Sequence, residues 1–335
     1  MKNKIITLGL SPAWDKTIEV ADIDWNEHKV VASQKLVPAG KALNINKALA
    51  WMDVQSTAAG LWGSEDFAQM KKFVGADPCV CPRANTRVRP YIDIKLTKVP
   101  GRTRENITIV DLKNKRQMHL RSKSTLANPK TIKILKRDLQ KIITKGSLAV
   151  FAGAMPDGAA EVIEMAKKKG ASVVVDSSGP AFKKIVAKGG LFLIKPNVEE
   201  LSELVGKTIK NEEKEIVSAA KKLLAKVKYI LVSRGEKGAM LISNESVISA
   251  KYVGKKHDVY NTVACGDYLL AGFINVIARS SDEIGTTKQS QSSEKDLLSS
   301  ALKNAVISAT AKAFGLNEKL EWEKIQRKIR VDVKQ

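Results

Sequence analysis

The sequence predicts an α/β fold with a mostly parallel sheet covered by helices on both faces, and three observations carry that expectation. Downstream of Pro129, short apolar runs alternate with amphipathic helical stretches, the pattern of strands buried on both sides. Between about residues 87 and 121 the texture changes to apolar/polar alternation broken by Pro100-Gly101 and Lys113-Asn114, which predicts a small antiparallel sheet inserted in the chain. Two loops of small residues, 38–42 and 261–266, run straight into apolar helices. Such junctions expose unpaired N–H groups at the positive end of a helix and suit phosphate oxygens.

Composition sets limits on the chemistry. A chain of 335 residues buries a full core, and its 57 Lys and Arg against 35 Asp and Glu give a formal charge of +22. The lysines are spread over predicted helices without interleaved aromatics, so the expectation is a solvated basic surface and no specific nucleic-acid partner. A positive field still concentrates anionic substrates. No apolar run is long enough to span a membrane, and residues 1–8 read as a first core strand, not a signal peptide. Cys79, Cys81 and Cys265, with only His28, His119 and His257 elsewhere, form neither a disulfide framework nor a zinc set. These features predict a cytoplasmic protein.

In chain order, residues 5–8 form a strand that ends in the loop Gly9-Leu10-Ser11-Pro12-Ala13-Trp14-Asp15. Loops at the carboxyl ends of strands bind ligands in open α/β sheets. Asp15 is there either a turn aspartate or an acceptor for ligand hydroxyls. Residues 16–20 alternate as a strand with one wet face. Gly40 and Ala42 flank Lys41 at the start of a helix that carries Asn44, and this is not a Walker sequence. Residues 91–96, 106–109 and 117–120 supply the alternating strands, with Arg102 and Arg104 in the connecting loop. Those arginines are either solvated turn charges or a lid's contact with a phosphate.

Helices are then predicted over 131–144, 159–169, 181–188 and 212–226, leading into strands 148–151, 173–176, 191–194 and 229–233. Asn197 and Glu200 have capping-box spacing; the alternative is that Glu200 orders magnesium-bound water. Ser233-Arg234-Gly235-Glu236-Lys237-Gly238 reads as a glycine turn between strands. Asp267 lies in the first turn of the helix beginning near Ala264. It either stabilises that N-terminus or takes a proton from a hydroxyl attacking phosphorus. Residues 280–295 are polar and serine-rich and are expected to be mobile, and a helix carrying Asn304 follows from Leu297 to Phe314.

Together these segments resemble the ribokinase-like, phosphofructokinase B-type sugar kinases, and more narrowly the 1-phosphofructokinase and tagatose-6-phosphate kinase branch. The likeness runs in order through residues 7–20, 38–50, Thr103-Arg104-Glu105-Asn106, 153–158, Lys195-Pro196-Asn197 with Glu200, 233–239 and 261–273. It implies a three-layer α/β/α core in a single domain over 1–335, with β-sheet lid segments at about 16–37 and 87–121. It also implies transfer from ATP to a sugar phosphate with Mg2+ as cofactor, and a homodimer formed through the lid.

By the same resemblance Asp267 is the general base, and the amides of Ala264, Cys265 and Gly266 hold the transferring phosphoryl group. Asp15, Gly40, Lys41 and Asn44 position the sugar, and Arg104 its phosphate. Asn197 and Glu200 organise magnesium, while Asn197, Ser233, Gly235, Gly238 and Asn304 line the ATP site. The chain departs from the branch pattern at several places. Ala39 and Ala42 replace glycines, predicting a narrower sugar loop, and Ala264 replaces another, predicting strain if φ is positive there. Ser11 and Ala154 also differ, and Lys29-Val30 stands where the branch has an Asn-Arg pair that supplies a second phosphate contact. Cys265, at a helix N-terminus, is either a thiol of lowered pKa or simply a small residue that fits.

Overall fold

The computed structural model describes residues 3–24, 26–76, 92–254, 262–279, 288–315 and 324–334. Cys79, Cys81, His257, Asn261, residues 87–91 and the polar run 280–287 lie outside the described residues. The chain opens with β1 (Ile5–Gly9), β2 (Ala13–Val20), β3 (Val31–Ala39), α1 (Lys41–Trp51), β4 (Ser56–Gly63) and α2 (Phe67–Ala76). It continues with β5 (Ile92–Val99), β6 (Glu105–Asp111), β7 (Arg116–Arg121), α3 (Pro129–Ile142), β8 (Leu148–Ala152) and α4 (Ala159–Lys168). Next come β9 (Ser172–Asp176), α5 (Gly179–Lys188), β10 (Leu191–Ile194), α6 (Val198–Val205), α7 (Glu213–Lys221) and β11 (Val227–Ser233). The chain closes with β12 (Ala239–Ile242), β13 (Val247–Tyr252), α8 (Cys265–Arg279), α9 (Lys288–Ala313) and β14 (Ile329–Lys334).

One sheet has ten strands in the order β14-β13-β12-β11-β10-β9-β8-β1-β4-β5. From β11 to β5 every neighbouring pair is parallel, and β12, β13 and β14 close one side antiparallel. The parallel strands bury both faces, which is why they read as continuous apolar runs. In β9, Val173 and Val175 join a core with residues of α3 to α7, while Val174 faces the opposite core with α1, α8 and α9. A one-residue slip would exchange those faces, so packing locks the register.

A second sheet has the order β3-β2-β6-β7. It is mixed, because β2 and β6 pair parallel while the outer pairs are antiparallel. The expectation of an inserted antiparallel sheet over 87–121 therefore needs correcting. β5 joins the edge of the large sheet beside β4, and only β6 and β7 from that region join β2 and β3. Alternation identifies a strand with two unlike faces but does not say which neighbour it pairs with. The last long helix also begins at Lys288, well before the expected Leu297.

A buried carboxylate ties the two sheets together. Asp66 accepts from Trp14 Nε1 at 2.6 Å, Thr103 N at 3.1 Å and Thr103 Oγ1 at 3.1 Å. Trp14 packs edge-on against Trp62 of β4, with ring centroids 5.5 Å apart. Among the described residues no helix is long and apolar enough to cross a membrane.

Helices α8 and α9 pack closely because Gly272 has no side chain. A Cβ built there would lie 2.5 Å from Ser308 Oγ and 2.6 Å from the Asn304 carbonyl oxygen. Gly272→Ala is expected to destabilise the fold by about 1–3 kcal/mol through overpacking, read as a lowered denaturant midpoint.

Candidate active site

Parallel strands place their carboxyl ends along one edge of the sheet, and β1, between β4 and β8, marks where the strand order reverses. Asp176 ends β9, Lys195 and Asn197 follow β10, and Ser233 ends β11. The N-termini of α1 and α8 reach the same edge from the face they cover. Asp267 is 5% exposed, and its Oδ2 accepts from Asn44 Nδ2 at 2.8 Å. The two small-residue loops thus converge, although they lie more than two hundred residues apart in the chain.

Charge is concentrated here. Asp176 is fully buried; its Oδ1 accepts from Lys41 Nζ at 2.9 Å and its Oδ2 lies 3.3 Å from Lys195 Nζ. That second oxygen is an ion-pair partner without an aligned hydrogen bond. Burial opposes the charge on Lys41, but the Asp176 carboxylate outweighs it, with smaller help from Glu200 and Asp267, and lifts the ammonium above its ordinary pKa. Burial first, and then the Asp176 charge, push the Asp267 carboxyl up to about 6, against the Asn44 hydrogen bond and the positive charges of Lys41 and Lys195. A carboxylate so placed ionises near neutrality and accepts protons there more readily than a solvated one.

The loop before α8 is more constrained than the resemblance implies. Ala264 has φ of 65°, so the expected strain of an L-residue in the left-handed region is present. The Cys265 amide donates to the Thr262 carbonyl oxygen at 3.2 Å, so it is not free to meet a ligand. Among the described residues the amides of Ala264 and Gly266 have no acceptor, leaving two donors where three were expected. Burial raises the Cys265 thiol pKa, with the Lys312 charge opposing and the Asp267 charge adding to it, the opposite direction from the lowering expected at a helix N-terminus.

At the other loop Gly40 precedes α1 with φ of 113°, a conformation that favours glycine. Ala39 and Ala42 are buried and line a cavity of about 20 Å3 with Gly9, Ser11, Gly40, Lys41 and Trp62, room for about one water.

Residues of the small sheet approach from above β1. Asn106 Nδ2 donates to Asp15 Oδ1 at 2.9 Å, so Asp15 and Asn106 share a face of that sheet. Arg104 is almost fully engaged. Its Nε donates to the Pro12 carbonyl, Nη2 to that of Ser11, and Nη1 to the Ser122 carbonyl and Asn106 Oδ1, at 2.7–3.3 Å. Four of its five donors are thereby used, and burial holds its pKa below the ordinary value.

Further along the edge Asn197 and Glu200 form a complete capping box. Asn197 N donates to Glu200 Oε2 at 2.9 Å, and Glu200 N donates to Asn197 Oδ1 at 2.7 Å. Ser233 N donates to the Pro196 carbonyl, which brings the 195–200 and 233–239 loops side by side. Gly235 and Gly238 both have positive φ in the turn between β11 and β12. Asn304 Nδ2 donates to the Gly272 carbonyl at 2.7 Å and braces α8 against α9.

Two residues to which the sequence reading gave no role belong to this charged cluster: Asp176 and Lys195. Each is a charged residue at the end of a buried apolar strand, where a charge must be paired or functional. That placement was the available signal.

Comparison with known proteins identifies the family. A family model for the pfkB family carbohydrate kinases matches residues 90–312. A 1-phosphofructokinase of Bacillus subtilis is 28% identical over 98% of each chain. A tagatose-6-phosphate kinase of Staphylococcus epidermidis is 25% identical, covering 83% of this chain and 87% of its own. The crystal structure of phosphofructokinase-2 from Escherichia coli in complex with fructose-6-phosphate superposes with a TM-score of 0.81 at 20% identity, over 98% of this chain and 99% of that one.

Ala264→Gly removes the left-handed strain but adds freedom to the unfolded chain. It is expected to raise stability by about 0.5–1 kcal/mol, measured by denaturant titration.

Proposed function

The chain belongs to the pfkB family of carbohydrate kinases, and from that premise we propose an ATP- and magnesium-dependent kinase of phosphorylated ketohexoses. Its acceptor is fructose 1-phosphate and its product fructose 1,6-bisphosphate. The observation that carries this reading is the buried Asp267 carboxylate, oriented by Asn44 beside Lys41, Asp176 and Lys195. Alignment with a 1-phosphofructokinase over nearly the whole length supports the acceptor. The tagatose-6-phosphate kinase likeness makes tagatose 6-phosphate the nearest alternative.

In the proposed reaction Asp267 takes the proton from the acceptor hydroxyl as its oxygen attacks the γ-phosphorus of ATP. The bond from that phosphorus to the bridging oxygen breaks, and ADP leaves. Lys41, Lys195 and the amides of Ala264 and Gly266 are placed to stabilise charge on the transferring phosphoryl oxygens. Asp15 and Asn106 orient sugar hydroxyls. Residues 1–335 form one kinase domain, and the sheet of β2, β3, β6 and β7 acts as a lid that excludes water, a competing acceptor.

Among the described residues there is no cluster of three or more His, Cys, Asp or Glu fit to hold a metal ion. Magnesium suits the site nonetheless, because it is commonly bound by one or two carboxylates, substrate phosphates and waters. Glu200 spends Oε2 on the Asn197 amide, and its other oxygen has no partner among the described residues. Glu200 and Asn197 would hold the ion, which supplies neutralising charge to the phosphates. ATP would lie along the Ser233, Gly235 and Gly238 turn, with Asn304 nearby. The protein acts in the cytoplasm, where the free thiol of Cys265 stays reduced.

Dimerisation through the lid has its own support. Register places Ile107 opposite Leu120 and Ile109 opposite Met118, with Ile18 beside Ile109, so one face of the small sheet is an apolar row. Met118 is 48% and Leu120 47% exposed. A second reading, sugar-phosphate binding without turnover, draws on the strained Ala264 and the occupied Cys265 amide.

Coupled-assay measurement of ADP across fructose 1-phosphate, tagatose 6-phosphate, fructose 6-phosphate and fructose separates these readings. Turnover is expected with fructose 1-phosphate, and Asp267→Asn is expected to lower kcat/KM by about 10²–10⁴-fold. Since only the ionised base accepts a proton, kcat/KM should rise with pH through about 6. Asp176→Asn removes a like charge and moves that limb to lower pH. Ligand-induced thermal shifts without ADP would sink the kinase reading and leave binding alone. Sedimentation should show a dimer that Leu120→Glu converts to monomer.

A further inference from the structure

We infer that Arg121, at the end of β7, is the cation that grips the phosphate already present on the acceptor, a role that rests on the sugar-phosphate reading above. Arg104 is poorly suited to hold that phosphate by itself. Three of its hydrogen bonds go to main-chain carbonyls and one to Asn106, so a single N–H remains. A bidentate grip on phosphate needs two. What Arg104 does in this structure is fasten the Ser11-Pro12 loop to the small sheet.

Arg121 lies directly opposite Asn106 in the β6–β7 ladder, and Asn106 lies directly opposite Asp15 in the β2–β6 ladder. Directly paired residues project from the same face of a sheet. The hydrogen bond from Asn106 to Asp15 shows that this is the face shared with the ligand-facing aspartate. Arg104 Nη1 reaches the Ser122 carbonyl, the residue after Arg121, so the two arginines meet at one end of the sheet.

Their electrostatics are unbalanced. Several cations of these strands and turns have carboxylate partners, Lys113 with Asp22 at 2.7 Å, Arg116 with Asp111 at 3.1 Å and Arg102 with Glu105 at 3.6 Å, while Lys16, Lys35 and Lys115 are unpaired among the described residues. The exposed Arg121 side chain has neither an ion pair nor a hydrogen bond among the described residues. Its charge disfavours the protonated form of Arg104, second to burial, and Asp15 is the one carboxylate acting in the other direction on Arg104. Asp15 already accepts from Asn106. Two neighbouring guanidiniums sharing one engaged carboxylate make a place where an added dianion is favourable. A phosphate monoester beside the sugar hydroxyls supplies that charge.

The test compares Arg121→Ala and Arg121→Lys with the wild-type enzyme by steady-state kinetics and by thermal shift with fructose 1-phosphate. Arg121→Ala is expected to raise KM for the sugar phosphate by about 10–100-fold, the size of a charged hydrogen-bond contact. Its kcat should stay within about twofold, KM for ATP and for unphosphorylated fructose should not move, and Arg121→Lys should recover part of the loss. The thermal shift given by fructose 1-phosphate should shrink in parallel. An unchanged KM and an unchanged shift in Arg121→Ala overturn this inference while leaving the kinase reading standing. A wild-type enzyme that phosphorylates fructose but neither binds nor phosphorylates any sugar phosphate overturns the acceptor reading and this inference together.

Discussion

Two carboxylates and two ammonium groups share one largely buried edge of the sheet, and much of the site follows from keeping them together. Asp176 lies near enough to Asp267 for its charge to raise that carboxyl's pKa, so the pair calls for compensation. Lys41 and Lys195 provide it through Asp176, and Asn44 adds a hydrogen bond to Asp267. Each group depends on the others. Removing one partner of a buried pair leaves an uncompensated charge, which is far more costly than the pair itself is stabilising. The cluster requires β9, β10, α1 and α8 to meet within a few ångströms. The parallel sheet therefore serves the site by aligning strand ends.

The small sheet answers a different demand. Asp66 holds it to the large sheet through neutral donors from Trp14 and Thr103, deep in the molecule. Arg104 holds the Ser11-Pro12 loop to it nearer the surface. Between these anchors lie Asp15 and Asn106, held to each other by a hydrogen bond on one face of the sheet. The departures at Ala39, Ala42 and Ala264 lie at the two small-residue helix starts and leave the charged groups beside them in place.

Much of the fold was legible along the chain because its elements announce themselves locally. Apolar runs such as Val173-Val174-Val175 and Leu191-Phe192-Leu193-Ile194 can be satisfied only by burial on both faces. The capping box at Asn197 and Glu200 was readable from spacing and is complete in the structure. By contrast β4, Ser-Thr-Ala-Ala-Gly-Leu-Trp-Gly, is buried along its whole length but has small residues and no alternation to betray it. The partner of β5 was misread because alternation records two unlike faces and is silent about which strand lies alongside.

The sequence by itself determined the fold class and the two small-residue helix starts, since each rests on residues within one or two turns of each other. Only the tertiary structure decided that Asn44 bonds Asp267, that Asp176 and Lys195 belong to the same cluster, that the Cys265 amide is already taken and that Arg104 is nearly saturated. Those are facts about which distant groups share a few ångströms of space. Local pattern carries no distance between segments, whereas burial and hydrogen-bond competition depend on nothing else.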